Sequence, residues 1–270
     1  MDIEHLHDAL MKGPCADCLT QPSFVLTMVG AEGHGPGTVK TVGTSLPKPT
    51  KWLPARQGIL PVTIDRFFDW FQLAAVACML CLGLVRFVML YARGVRVVVV
   101  DWRRSVTQML CDSLLVTSLL LSFYHMVAYS WPLPDSFVVP SLGTELIHGT
   151  GARAVGAILI TAALVIYGLA LRAFGNSWRM GIDRESPGSL VTTGIFAWTR
   201  NPIYVALDLL AVGTFLLQGR LIFLVLAAII VLMLHELICR EERFLSEQYG
   251  DAYRGYCARV GRYVTGRTKA

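Results

Sequence analysis

The sequence predicts an all-α, polytopic membrane protein with about five spans, a tight helical hairpin made by the fourth and fifth, and a C-terminal amphipathic helix. Three observations carry that reading. Of the 270 residues, 54% are hydrophobic and only 16% are charged, whereas soluble domains carry about a quarter charged residues. The mean hydropathy is +0.54. The apolar residues are also gathered into long runs rather than spread in alternation. A chain with so few polar groups cannot coat a water-facing surface, which argues against a soluble protein, a disordered one and a nucleic-acid binder together. The net charge of +5 lies mostly beside the apolar runs.

Residues 1–66 differ in composition from the rest. They hold seven prolines (Pro14, Pro22, Pro36, Pro47, Pro49, Pro54 and Pro61) and a glycine-rich stretch from Gly30 to Gly37. Such a segment has little to bury and reads as an irregular arm. Cys15 and Cys18 have redox or half-zinc-site spacing, but a structural zinc needs four ligands and no second Cys or His pair follows. A local disulfide or two unpaired thiols fit better, and no metal is expected. No Gly-Lys-Ser/Thr closes the glycine stretch, so it is no phosphate loop.

The apolar runs cover roughly 73–92, 106–129, 152–172, 202–217 and 221–238. A helix needs about 20 residues to cross the hydrocarbon layer, and four of the five reach or approach that length. The fourth is short and is separated from the fifth only by Gln218, Gly219 and Arg220. This spacing gives the hairpin. Residues 67–172 then form a three-span region, and residues 173–270 a separate C-terminal unit. Cys78, Cys81, Cys111 and Cys239 lie in apolar runs, where thiols are usually just buried. The β-like run Val95–Val100 is too short to compete with helix.

Lys and Arg accumulate on the cytoplasmic side of membrane proteins. Arg93, Arg96, Arg103 and Arg104 follow the first span, while the connection at 130–151 has no Lys or Arg. Arg172, Arg179, Arg184 and Arg200 flank the next loop, and the tail from 239 is strongly basic. Alternation puts the 172–200 loop and the C-terminus in the cytoplasm. An odd span count then puts the arm outside, against the basic Lys48, Lys51, Arg56 and Arg66.

The chemistry is expected in residues 178–262, where polar groups concentrate at one membrane face. Gly194 suits a left-handed turn, and Pro202 biases Asn201 away from helix while fitting a first helical position. Asn201-Pro202 is therefore a helix start at the cytoplasmic edge. With the turn at Gly219, facing positions of an antiparallel pair add to about 438. That sets Asn201 level with Leu237 and Tyr204 level with Leu234, close to His235 and Glu236. Glu241 and Glu242 fall roughly one turn further out. Beyond them Leu245, Tyr249, Tyr253, Tyr256 and Val260 step at helical spacing and draw one apolar-aromatic stripe among arginines. The stripe fits an interfacial helix lying on an anionic leaflet, or a lid over a bilayer-side pocket. Asp208 sits inside the fourth span, where a carboxylate costs at least about 2.5 kcal/mol and faces a cavity or a partner. Trp178 and Arg179 begin the cytoplasmic loop as interfacial anchors or an entry gate.

Two stretches carry a resemblance. They are Leu190-Val191-Thr192-Thr193-Gly194 running on to Arg200-Asn201-Pro202-Ile203-Tyr204, and Glu241-Glu242 running on to Gly250, Tyr253, Tyr256, Val260 and Arg262. Together they resemble the integral-membrane methyltransferases, a superfamily that includes isoprenylcysteine carboxyl methyltransferases and phospholipid methyltransferases. The resemblance implies an S-adenosylmethionine pocket facing the cytoplasm and an acceptor that enters from the bilayer, either a lipid or a small lipophilic molecule. It implies cofactor contacts at Gly188, Ser189, Leu190, Val191, Phe196, Asn201, Pro202, Ile203, Tyr204 and Glu241, and catalytic roles for Tyr204, Glu242 and Arg240. The chain departs from the pattern twice. Asn201 stands where the family commonly has His. Leu237 stands where the carboxyl methyltransferases have an Arg one turn before the acid, with Arg240 the nearest substitute.

The reaction this implies is an in-line displacement, in which alignment and dryness alone lower the barrier by roughly 7–11 kcal/mol. A protonated amine acceptor needs a base, and Glu242 and His235 are the candidates; a carboxylate or thiolate needs none. An NADPH-dependent reductase of the sterol-reductase type shares a similar helix start, and a non-catalytic scaffold could keep the fold.

Overall fold

The computed structural model describes residues 62–94, 105–131, 143–175 and 189–264. The arm up to residue 61, with Cys15 and Cys18, lies outside them. So do the Val95–Val100 run, Trp178, Arg179 and Gly188.

Five α-helices and one 3-10 turn (Gly194–Ala197) make up the described chain: α1 (Val62–Ala92), α2 (Val106–Ser130), α3 (Thr150–Phe174), α4 (Pro202–Gln218) and α5 (Leu221–Cys257). Four of them are long and apolar enough to cross a membrane, and α4 is a shorter apolar helix of the same character. Among the described residues no strand competes with them. The expected all-α, polytopic membrane class is what the chain adopts.

Two boundaries differ from expectation. The first helix reaches back to Val62, so the end of the proline-rich segment is helical. The last helix carries on past the apolar span to Gly250, whose φ of 50° breaks it, and a short helical segment continues from there to Cys257. Between them, α2 starts with a reciprocal capping box. Ser105 Oγ accepts from the Gln108 amide at 3.2 Å, and Gln108 Oε1 accepts from the Ser105 amide at 3.1 Å.

The main contacts run α1–α3–α4–α5–α2, and α2 closes the ring against α1. Apolar side chains such as Leu84, Leu120, Ile158 and Leu232 point out of the ring, as a lipid-facing surface requires. The tightest packing joins α3 to α4, and two glycines make it possible. A Cβ on Gly156 would stand 2.7 Å from the Gly213 carbonyl, and one on Gly213 2.8 Å from Ile160. Small residues let backbones approach where no hydrophobic effect drives helices together. One polar tie joins α1 to the same helix, with Gln218 Nε2 donating to the buried Gln72 Oε1 at 2.8 Å.

The α4–α5 turn is clasped by the segment before α3. Gly219 takes φ 65°, and its carbonyl accepts from the Leu146 amide at 2.7 Å and the Ile147 amide at 3.1 Å. Arg220 donates to Glu145 at 2.7 Å and lies over the Tyr129 ring, 4.2 Å from its centroid. A Cβ on Gly219 would fall 2.2 Å from the Ile147 carbonyl oxygen, besides the left-handed backbone cost of about 1–2 kcal/mol for other L-residues. Gly219→Ala is expected to lower the unfolding midpoint of the detergent-solubilised protein by several degrees. Thermal melting followed by circular dichroism checks it.

Candidate active site at the open ends of helices 4 and 5

Asn201 precedes α4 with φ −128°, and Pro202 occupies the first helical turn. The proline removes an amide that would have no partner there and presets the backbone. Asn201 makes no side-chain cap to its own helix. Its amide instead donates across to Glu242 Oε1 at 3.0 Å and to the Arg262 carbonyl at 3.3 Å.

Glu242 is the hub of this end of the molecule. It is only 3% exposed, and besides Asn201 it takes Arg200 at 3.1 Å and Arg262 at 3.0 Å, whose side chains are 5% and 9% exposed. Two guanidiniums on one carboxylate leave a positive charge in excess. The segment after α5 is sewn to the start of α4 as well. The Arg200 amide donates to the Gly261 carbonyl at 3.1 Å, and Thr199 Oγ1 to the Arg262 carbonyl at 3.1 Å.

Glu241 faces elsewhere and holds a different partner. Tyr204 Oη donates to its Oε1 at 2.5 Å. Among the described residues nothing donates to its second oxygen, which leaves it able to accept from a ligand. Arg240, one residue earlier, turns to α2 and donates to Asp112 Oδ1 at 2.6 Å. A third group lies deeper along α5. Tyr263 stacks on His235 with ring planes 13° apart, and its hydroxyl meets His235 Nδ1 at 2.8 Å. Burial, with the negative charge of Asp208 behind it, pushes the Tyr263 phenol above its ordinary range. The phenol therefore keeps its proton.

The expected site residues separate into two sets. Asn201, Tyr204, Glu241 and Glu242 come together with Arg200 and Arg262. Pro202 is fully buried, and Ile203 packs toward Leu90 and Leu171 on the far side of α4. Phe196 is buried too, edge-on to Phe174 at 4.6 Å, and its carbonyl accepts from Tyr256 Oη at 2.6 Å. Leu190 packs on Tyr253, Tyr256 and Val260, so this part of the aromatic stripe is covered by the 190–196 turn. Ser189 is exposed and Val191 is half-buried. Asp208 Oδ1 is buried without a hydrogen-bond partner.

The register also moved. Tyr204 and Asn201 meet residues about six positions later along α5 than the level counting gave. The cause is that helical side chains lean toward the N-terminus of their own helix. In an antiparallel pair the two leans converge, and Tyr and Glu are long enough to close the rest. Arg200, Arg262 and Asp112 were not among the predicted site residues. The rule that marked Asp208, a carboxylate inside an apolar helix, marks Asp112 equally.

The donor set suits a zwitterionic cofactor with a ribose. Excess positive charge at Arg200 and Arg262, together with first-turn amides that Asn201 leaves uncapped, fits a carboxylate. Glu241 fits an ammonium or ribose hydroxyls. Among the described residues no group of His, Cys, Asp and Glu is placed to hold a metal ion.

Comparison with known proteins agrees with the region and with its kind. The phospholipid methyltransferase family profile matches residues 151–252, which takes in α3, α4 and most of α5. The protein-S-isoprenylcysteine O-methyltransferase of Saccharomyces cerevisiae is 27% identical over 151 residues, 51% of this chain and 61% of that protein. Its Schizosaccharomyces pombe counterpart is 33% identical over 78 residues, 28% of this chain and 33% of that protein. The chain thus spans less than two thirds of the length of these curated relatives.

Proposed function

We propose that this chain, which belongs to the integral-membrane methyltransferase superfamily, transfers a methyl group from S-adenosylmethionine to a lipophilic or small membrane-soluble acceptor, with its site and C-terminus at the cytoplasmic face. One observation carries the reading: Tyr204 and Asn201 at the start of α4 engage Glu241 and Glu242 at the end of the next span. That contact gathers an accepting carboxylate and an excess of positive charge at a single membrane face.

Each residue has a role in this reading. Glu242 holds Arg200 and Arg262 in place and is a positioning residue, because its oxygens are already taken. The two arginines and the α4 amides receive the cofactor's carboxylate. Glu241, aimed by the Tyr204 hydroxyl, receives its ammonium or ribose hydroxyls. When bound, S-adenosylmethionine supplies an electrophilic methyl on a sulfonium. The chain's part in the chemistry is alignment and exclusion of water, which together are worth roughly 7–11 kcal/mol. His235 carries no free Nδ1 in this arrangement, since Tyr263 occupies it. Its other ring nitrogen, Nε2, lies 3.7 Å from Cys239 Sγ, so both ring nitrogens have a partner within the chain.

Membranes containing the protein, incubated with methyl-labelled S-adenosylmethionine, should gain label in the organic-soluble fraction, and membranes without it should not. Equal labelling of the two contradicts the proposal.

A further inference from the structure

We propose that Asp112 sets the charge class of the acceptor: by holding Arg240, it denies the site a cation that a carboxylate-bearing acceptor could use. This rests on the methyltransferase reading and narrows it to acceptors whose reacting head is not a carboxylate.

Arg240 and Asp112 join α5 to α2 through a 2.6 Å contact, with side chains 16% and 27% exposed. Arg240 immediately precedes Glu241, so its guanidinium is the positive group nearest the Tyr204–Glu241 pair on the α2 side. The other two guanidiniums of this end, Arg200 and Arg262, are both on Glu242. Arg240 is therefore matched one to one by Asp112, whereas Arg200 and Arg262 share Glu242 and are assigned to the cofactor's carboxylate.

Asp112 is not needed to start its helix. The helix start is satisfied by Ser105 and Gln108, and Asp112 lies beyond the first turn, where the helix dipole no longer favours a negative charge. An acid in an apolar helix is costly without a partner, and Arg240 is the partner on view. Tethered to the same fold, Asp112 competes at an effective concentration that a dissolved acceptor does not reach. A second observation acts in the same direction. Asp208 lies one turn along α4 from Tyr204 on the same face, its Oδ1 buried without a hydrogen-bond partner. A hydrogen-bond-donating head can pair with that oxygen, whereas a carboxylate head cannot.

The test uses two probes that differ only in charge: N-acetyl-S-farnesylcysteine with its free carboxylate, and the corresponding carboxamide. Binding of each to the purified full chain in detergent is measured by calorimetry. The wild type should bind the carboxamide at least as tightly as the carboxylate. Asp112→Asn, which keeps the shape of the side chain, should tighten carboxylate binding by about tenfold, the scale of one ionic contact, and leave the carboxamide unchanged. Adding Arg240→Gln to that variant should return the ratio to the wild-type value. A wild-type preference for the carboxylate, needing no variant at all, overturns the proposal, and so does an unchanged ratio in Asp112→Asn. Titration of the same wild-type sample with S-adenosylmethionine separates the two levels. No binding there refutes the methyltransferase reading, whereas binding with an unchanged probe ratio refutes only the role of Asp112.

Discussion

Glu242→Ala is expected to cost about 3–5 kcal/mol of stability, the range for breaking a buried ion pair by removing one partner. Alanine would leave the Arg200 and Arg262 guanidiniums, both nearly buried, without the carboxylate that neutralises them. It would also strip Asn201 of its closest acceptor. The damage should not stay local. Arg262 belongs to the segment whose carbonyls receive Thr199 and Asn201, so the strand of chain after α5 loses its attachment to the start of α4. Thermal unfolding in detergent should show a large drop in midpoint, with cofactor affinity lost in parallel. Combining Glu242→Gln with Arg262→Met should recover part of the loss, since it removes a stranded cation along with its partner. A Glu242→Ala protein as stable as the wild type would mean that the hub does not hold this end together.

Glu241→Gln should behave in the opposite manner. Glu241 is half-buried, pairs with a single phenol at 2.5 Å and leaves one oxygen for a ligand. Glutamine keeps the shape and an accepting oxygen, so the melting midpoint should barely move. Affinity for S-adenosylmethionine should fall by about 10–100-fold, because a hydrogen bond to a charged group is worth about 1.5–3 kcal/mol. Tyr204→Phe removes only the hydroxyl that aims the carboxylate and should cost less, about 3–10-fold. The contrast between neighbours is the informative part: adjacent glutamates, one mainly structural and one mainly for binding. Unchanged affinity in both Glu241→Gln and Tyr204→Phe would remove the binding assignment.

The sequence makes the helices easy to find, because an apolar run of membrane length has few other uses and each expected span became a helix. It also brings the start of α4 and the end of α5 to one face, since three residues between two apolar runs permit little but a hairpin. Depth along that hairpin is harder to read. Counting backbone rise ignores the lean of side chains, and it set Tyr204 beside Leu234 where its hydroxyl in fact reaches Glu241. The aromatic stripe from Leu245 to Val260 shows a different limit. Periodicity reveals that one face is apolar but not what covers it, and here Leu190 of the 190–196 turn packs on its Tyr253–Val260 part. The ion pairs are least legible of all. Arg200, Arg262 and Glu242, or Asp112 and Arg240, are matched across the fold by geometry that no local spacing encodes. Asp112 left a trace only as an acid in an apolar helix, the same trace that drew attention to Asp208.

Calorimetric titration of the purified wild-type chain with S-adenosylmethionine, followed by NADPH, tests the central claim most directly. A single saturable site for S-adenosylmethionine, with no heat from NADPH, is the predicted result. Heat from NADPH alone, or from neither compound, would contradict it.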